Sequence, residues 1–373
     1  MSWLVYRLTD SALWLGIINF VGWFSAFLIM PWAGVILDCG SRRKILVYAQ
    51  LLGSFQAAVL AYLTLSDQIT VGSLLALSMI LGAVNGFDMP GRHSFVSDLV
   101  PDRQLLGNAI ALNSSMFNLA RLIGPALAGI LVAKAGEGVC FLINSISFLP
   151  FAVSLRFMNV EESQGTAQNK TWLQGIYEGI LYALKHEVIW PVLIMLAIAS
   201  LMGMSIHIVL MPVVADKLLA GGSDTLGYLT ASMGLGAVIG ALWLASRPSV
   251  EGLVSVVPIA FGSYGFCAIM LSQSTNFAVS LLFTCLMGLS LVNGWSSSNT
   301  LLQSVSRKEK RGRVMSLYLM CFTGMSPVGC LLMGWLSSAV GIQKAMILGG
   351  TVCIVCASWF ASFMRNKTIT LEI

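Results

Sequence analysis

Apolar runs of about 20 residues recur along almost the whole of this 373-residue chain, each long enough to cross a ~30 Å hydrocarbon core as a helix. Lipid offers the backbone no hydrogen-bonding partner, so a crossing segment must satisfy its own N–H and C=O groups, and runs this long and this evenly apolar do so as α-helices. The runs predict spans near 11–36, 45–65, 73–96, 108–133, 139–157, 188–214, 225–246, 252–271, 277–297, 314–339 and 345–363. A water-soluble domain could not hide a composition that is 57% hydrophobic and 10% charged. The 36 glycines suit helices that must approach closely without a hydrophobic driving force. An all-α polytopic membrane protein follows, with the lipid bilayer as its first partner.

The longest polar segment, 158–187, separates five spans from six. It divides the chain into an N-terminal half, 1–157, a cytoplasmic linker with an amphipathic stretch, 158–187, and a C-terminal half, 188–373. The connecting loops alternate in charge. Sixteen of the 21 cations fall in one set of loops, among them Arg42, Arg43, Lys44 and Arg307 to Arg313; the other set holds Arg7, Lys134, Lys217 and Lys344. Cation-rich loops stay in the cytoplasm, which puts the C-terminus inside and Met1 outside a bacterial-type cytoplasmic membrane. A net charge of +5 spread this way forms no nucleic-acid footprint.

Two stretches echo each other: "NGFDMPGRHSFVSDLVPDRQLLGNAIAL" from Asn85 and "NGWSSSNTLLQSVSRKEKRGRVMSLYL" from Asn293. Each closes one span, crosses a charged loop and opens the next, the pattern of parallel six-span repeats in secondary transporters. The loop "GVILDCGSRRK" resembles the signature between spans 2 and 3 of the major facilitator superfamily, with Gly34, Asp38, Arg42 and Arg43 at matching positions. Cys39 stands where that signature has its first arginine and Ser41 where it has glycine. "RLIGPALAG", with Gly124, Pro125 and Gly129, resembles the span 5 motif of drug/proton antiporters. The two repeat stretches are similar to the exporter branch that includes the enterobactin exporter and macrolide efflux pumps. The resemblance implies a fold of two six-helix halves that rock about a central cavity, with Asp38 latching the cytoplasmic side against the helix beginning at Gly312. It also implies a small-molecule substrate, a monomer and a proton as coupling ion. Matching the halves leaves about 11 spans and no counterpart to span 7, so the first span is expected to be missing before Met1.

An ionisable group at membrane depth is costly and functional by default. Asp88, Arg92 and Arg121 are the candidates. Asp88 and Arg92 have the spacing of an i,i+4 pair on one helix face, and Arg121 falls near the middle of span 5. Asp88 is the expected titrating group, with either arginine as its partner. Asn113, Asn118, Trp295 and Asn299 are candidates for lining a cavity. The eight cysteines, including Cys353-x-x-Cys356, lie in apolar segments and are expected to pack as small hydrophobes. No metal or cofactor motif is present, and neither H-E-x-x-H, G-x-S-x-G nor a phosphate-binding loop points to an enzyme. The expected function is a secondary active, proton-coupled exporter of a small amphipathic molecule such as a siderophore or macrolide-like drug. The alternative is a sensor or partner protein that keeps the scaffold without transport.

Overall fold

A short N-terminal helix, α1 (Ser2–Thr9), ends where Asp10 adopts a left-handed backbone (φ 44°) and turns the chain into α2 (Ala12–Cys39). The computed structural model describes residues 1–99, 103–158, 180–247, 252–307 and 310–365. Ser41 caps α3 (Arg42–Leu65) by accepting the Lys44 amide at 3.3 Å. The serine that replaces the motif glycine thus satisfies one of the orphan donors of a helix start. Then come α4 (Val71–Leu99) and α5 (Arg103–Phe157). Gly136, at φ 81° and ψ 167°, breaks α5 into two helical segments that hold the expected 108–133 and 139–157 spans. The second half holds α6 (Ile189–Leu218), α7 (Ser223–Ala245), α8 (Leu253–Gln273), α9 (Phe277–Val305), α10 (Arg311–Val340) and α11 (Ile342–Met364). Gly341, at φ 89° and ψ 156°, joins α10 to α11 with the same backbone that Gly136 uses in the first half. Only glycine enters that region without a Cβ penalty, so the repeat is visible in its hinges.

Ten helices among the described residues are long and apolar enough to cross a membrane. Most of the expected linker lies outside the described residues; 180–185 are helical before α6. Within each half the helices pair alike: α2 with α4 and α7 with α9, α3 with the second segment of α5 and α8 with α11. These pairs meet backbone to backbone. A Cβ on Gly82 would run into the Gly22 carbonyl, one on Gly236 into Cys285, and one on Gly288 into Met233. Ser54 and Ser145 exchange bonds across α3 and α5, each hydroxyl donating to the other residue's carbonyl at 2.9 and 2.8 Å.

Two helices depart from regular α geometry. α6 is π-helical over Ala199–Met204, Ile206–Leu210 and Val214–Leu218, and α10 over Met320–Gly324. A wide turn upsets the regular pairing of backbone carbonyls, and side chains from neighbouring helices bond to carbonyls here. Ser200 donates to the Phe322 carbonyl at 2.7 Å, and the buried Tyr264 hydroxyl donates to the Gly203 carbonyl.

The alternating helices place Arg42 to Lys44, Arg247, Arg307 and Arg365 at one end of the bundle, the cation-rich end, and Asp10, Glu137 and Lys217 at the other. A large core cluster sits at that other end and joins the halves, with Leu4, Leu15, Leu210, Met211 and Met333 fully buried. Toward the cation-rich end the halves have separate clusters, one around Phe261, Leu302 and Phe360, the other around Leu46, Phe95 and Leu155.

Gly288→Ala is expected to lower thermal stability in detergent by about 1–3 kcal/mol, because a methyl there must displace backbone. Gly312→Ala, with nothing within 4 Å of the added carbon, is expected to change it little. Equal melting shifts would overturn this account of the helix pairs.

Candidate functional site

Among the described residues, the most extensive contacts between the halves are α2 with α10 and the first segment of α5 with α7. Both contacts are tight at the end opposite the cations. A Cβ on Gly16 would stand 2.6 Å from the Cys330 carbonyl, one on Gly334 2.7 Å from Ala12, and one on Gly129 2.6 Å from Gly227. Of the span 5 motif, therefore, Gly129 makes the close approach; Gly124 is exposed with nothing within 4 Å, and the Pro125 side chain lies outside the described residues.

The signature loop lies at the separated end. Arg42 donates its Nε to the Leu37 carbonyl at 3.3 Å, and Arg43 donates Nη1 to the Met158 carbonyl at 2.6 Å. Both guanidiniums thus reach helix C-terminal carbonyls, where a cation is favoured. Asp38 occupies the last turn of α2, and its side chain and that of Cys39 lie outside the described residues. Gly34 and Gly312 have no neighbour within 4 Å of an added Cβ, so neither makes a close approach in this arrangement. Gly40 is extended (φ −113°) and supplies no left-handed turn; its lack of a Cβ matters because Ile36 and Ile45 crowd it at 3.0 and 3.2 Å.

Inside the first half, Asp88 on α4 accepts from Gln50 Nε2 at 2.6 Å and from Arg92 Nε at 2.8 Å to Oδ1 and 2.7 Å to Oδ2. The Arg92 guanidinium also lies over the Phe151 ring, 4.4 Å from its centroid. Asp88 and Arg92 are therefore an i,i+4 pair, with the arginine half-exposed. The Arg121 side chain lies outside the described residues. Gln50, buried in α3, went unread as a partner because the packing of α3 on α4 decides it; an amide in an apolar run was the available signal.

Trp295 is 8% exposed and stands edge-on to Phe261 and Phe322, inside the second half's core. Asn299 accepts from Gln303 at 2.6 Å, and the Asn113 and Asn118 side chains lie outside the described residues. A cavity of about 220 Å³ lies between α2, α4 and α10. Asn19, Trp23, Phe27, Met30, Asn85 and Thr323 line it. Its walls are apolar and aromatic with a few amide and hydroxyl groups, the make-up of a site for an amphipathic ligand.

The sequence matches the family model described as "transmembrane secretion effector" (MFS_3) over residues 1–369. The chain belongs to this major facilitator family. The staphyloferrin A transporter of Staphylococcus aureus is 25% identical, with 100% of this chain and 93% of that protein aligned. The multidrug efflux pump Tap of Mycolicibacterium fortuitum is 21% identical over 92% and 86% of the two chains. Among solved structures, the nucleoside transporter NupG superposes with a TM-score of 0.77 at 12% identity, covering 98% and 94%. This major facilitator protein is thus an integral multi-pass membrane transporter and not an enzyme.

Its closed end carries polar contacts between the halves as well. The Tyr6 hydroxyl donates to Asp216 Oδ2 at 2.8 Å, and Lys217 pairs with Asp10 at 3.0 Å and with Asp216 at 3.8 Å. Arg7 pairs with Glu137 at 3.0 Å within the first half. Lys217, with help from Tyr6, holds the Asp10 carboxyl below its usual range. That pair supports the closed arrangement above the usual range and is lost only as pH falls through the lowered value.

Tyr6→Phe is expected to loosen the closed end by roughly 1–2 kcal/mol, since it strips a hydrogen bond from a carboxylate. Asp10→Asn, which breaks a solvent-exposed pair, is expected to do less. The measurement is the rate at which an impermeant thiol reagent, added from that side, labels cysteine at Asn19→Cys. Faster labelling in Asp10→Asn than in Tyr6→Phe would reverse the ranking.

Proposed function

We propose that this protein is a secondary active exporter of a small amphipathic molecule, working by alternating access and coupled to protons. The observation that carries this reading is closure at one end only: shared core, glycine contacts and polar bridges join the halves opposite the cations, while separate clusters and unpacked Gly34 and Gly312 mark the cation-rich end. By the charge bias that end is cytoplasmic, with the C-terminus. The arrangement is then inward-open, ready to take cargo from the cell. We take 1–157 and 188–373 as the moving halves, 158–187 as their cytoplasmic linker, and the working unit as a monomer.

Rocking would bring Asp38 and Gly34 toward the helix that begins at Gly312, where a carboxylate gains from the positive helix end. The cavity of Trp23, Phe27, Asn19 and Asn85 would hold the cargo. The staphyloferrin A transporter and the multidrug efflux pump among its relatives support a small-molecule cargo. Asp88 is the coupling group in this reading. Its carboxylate is held by Arg92 and Gln50, so protonation would release both donors and free α3 and α4 to shift.

Asp88→Asn is expected to insert normally yet abolish proton-driven transport into everted vesicles. Gln50→Ala is expected to slow transport less, since the Arg92 pair remains. Wild-type pH dependence in Asp88→Asn would remove the coupling role. Wild-type chain that moves no member of a siderophore and macrolide panel would favour the transport-inactive scaffold.

A further inference from the structure

α8 and α11 cross with almost no space between them at one level. Gly265 and Gly350 face each other so closely that a Cβ on either would strike the other's carbonyl. From there toward the cation-rich end an open groove of about 610 Å³ runs along the two helices. The groove runs from Phe266 and Ile354, beside the crossing, to Val254 and Arg365 at its mouth, with Gly262 and Ala357 forming its floor. Val254 to Phe266 is about 18 Å along a helix at 1.5 Å per residue. That matches roughly half of a ~30 Å hydrocarbon core, a single leaflet.

The mouth differs in kind from the rest. Arg365 ends α11 with an exposed side chain that lines the groove. α8 begins at Gly252, whose left-handed backbone (φ 77°) opens the helix two residues before Val254. The Arg247 guanidinium lies against Gly252, 3.3 Å from where a Cβ would stand, and over the exposed Trp243 ring at 5.3 Å. A groove one leaflet deep, apolar below and cationic at the membrane edge, is complementary to one kind of molecule. An acyl chain fills the floor while a phosphate sits at Arg365.

We propose that the α8–α11 groove is a binding site for an anionic phospholipid of the leaflet at the cation-rich end, with Arg365 engaging its phosphate. The site lies apart from the Asn19–Asn85 cavity and its existence does not depend on what that cavity carries.

The test is native mass spectrometry of the full chain after delipidation, with phosphatidylglycerol or phosphatidylcholine added back. The wild type is expected to retain one phosphatidylglycerol per chain in preference to phosphatidylcholine. Arg365→Gln is expected to reduce that preference about fivefold, the scale of one basic residue at a lipid surface. Gly262→Leu, which fills the floor toward Ala357, is expected to lose retention of both lipids; should it fail to fold, Ser358→Leu fills the opposite wall. Glu251→Gln, which removes the acid preceding Gly252, must not lower retention. Equal retention of the two lipids, indifference to Arg365→Gln, or retention unchanged by the floor variants would overturn the proposal. So would binding of glycerol phosphate with the same preference, which marks a free-phosphate site, or a chain dimer in place of bound lipid.

Discussion

Helices that share a lipid environment gain little from hiding apolar surface from one another, so this bundle depends on how closely their backbones can approach. Glycine sets that distance. Where Gly82 meets Gly22, Gly236 meets Cys285 and Gly288 meets Met233, no side chain stands between the helices, and dispersion between backbones replaces the missing hydrophobic drive. The contacts are distributed unevenly along the bundle. They hold pairs together within each half and tie the halves together at the end opposite the cations, while Gly34, Gly124 and Gly312 meet nothing.

Polar chemistry in the apolar interior follows the same economy. Asp88 sits in an apolar helix but has three close donor contacts, two from Arg92 and one from Gln50, and the arginine's far face rests on Phe151. A carboxylate so satisfied costs far less than a bare charge in hydrocarbon. The arrangement ties α3, α4 and the second segment of α5 to one titratable group. In the second half the comparable ties are neutral. Ser200 bonds to the Phe322 carbonyl and Tyr264 to the Gly203 carbonyl, at wide helical turns.

The helical class, the repeat and most span positions were legible in the sequence because each rests on local pattern: twenty apolar residues suffice for a span whatever surrounds them. The i,i+4 pairing of Asp88 with Arg92 was legible for the same reason, as both lie on one helix. What was not legible required knowing which helices pack. Gln50 as a partner of Asp88, the cavity around Asn19 and Asn85, and the burial of Trp295 between Phe261 and Phe322 all follow from the relative rotation of helices. Gly40 shows the limit at a single residue. Its backbone is ordinary, and it is the crowding by Ile36 and Ile45 that leaves no room for a Cβ. The wide turns of α6 and α10 had no signature in composition at all.

The distances carry a further consequence for motion. Within each half, a Cβ at Gly82, Gly236 or Gly288 would lie deep inside a facing carbonyl, so those pairs interlock and cannot slide without losing contact along their length. Between the halves the approach is less deep, 2.6 Å at Gly16 and Gly129 and 2.7 Å at Gly334, and it is confined to one end. A surface that must part and re-form is better served by shallow, dry contact than by interlocked backbone. The Lys217 to Asp10 bridge there lies largely in water, where a broken bond is replaced by a hydration shell at small net cost. The same groups buried at membrane depth would leave unpaired charge each time the halves separated. Rigid halves with a yielding seam follow from where glycine, charge and water are placed.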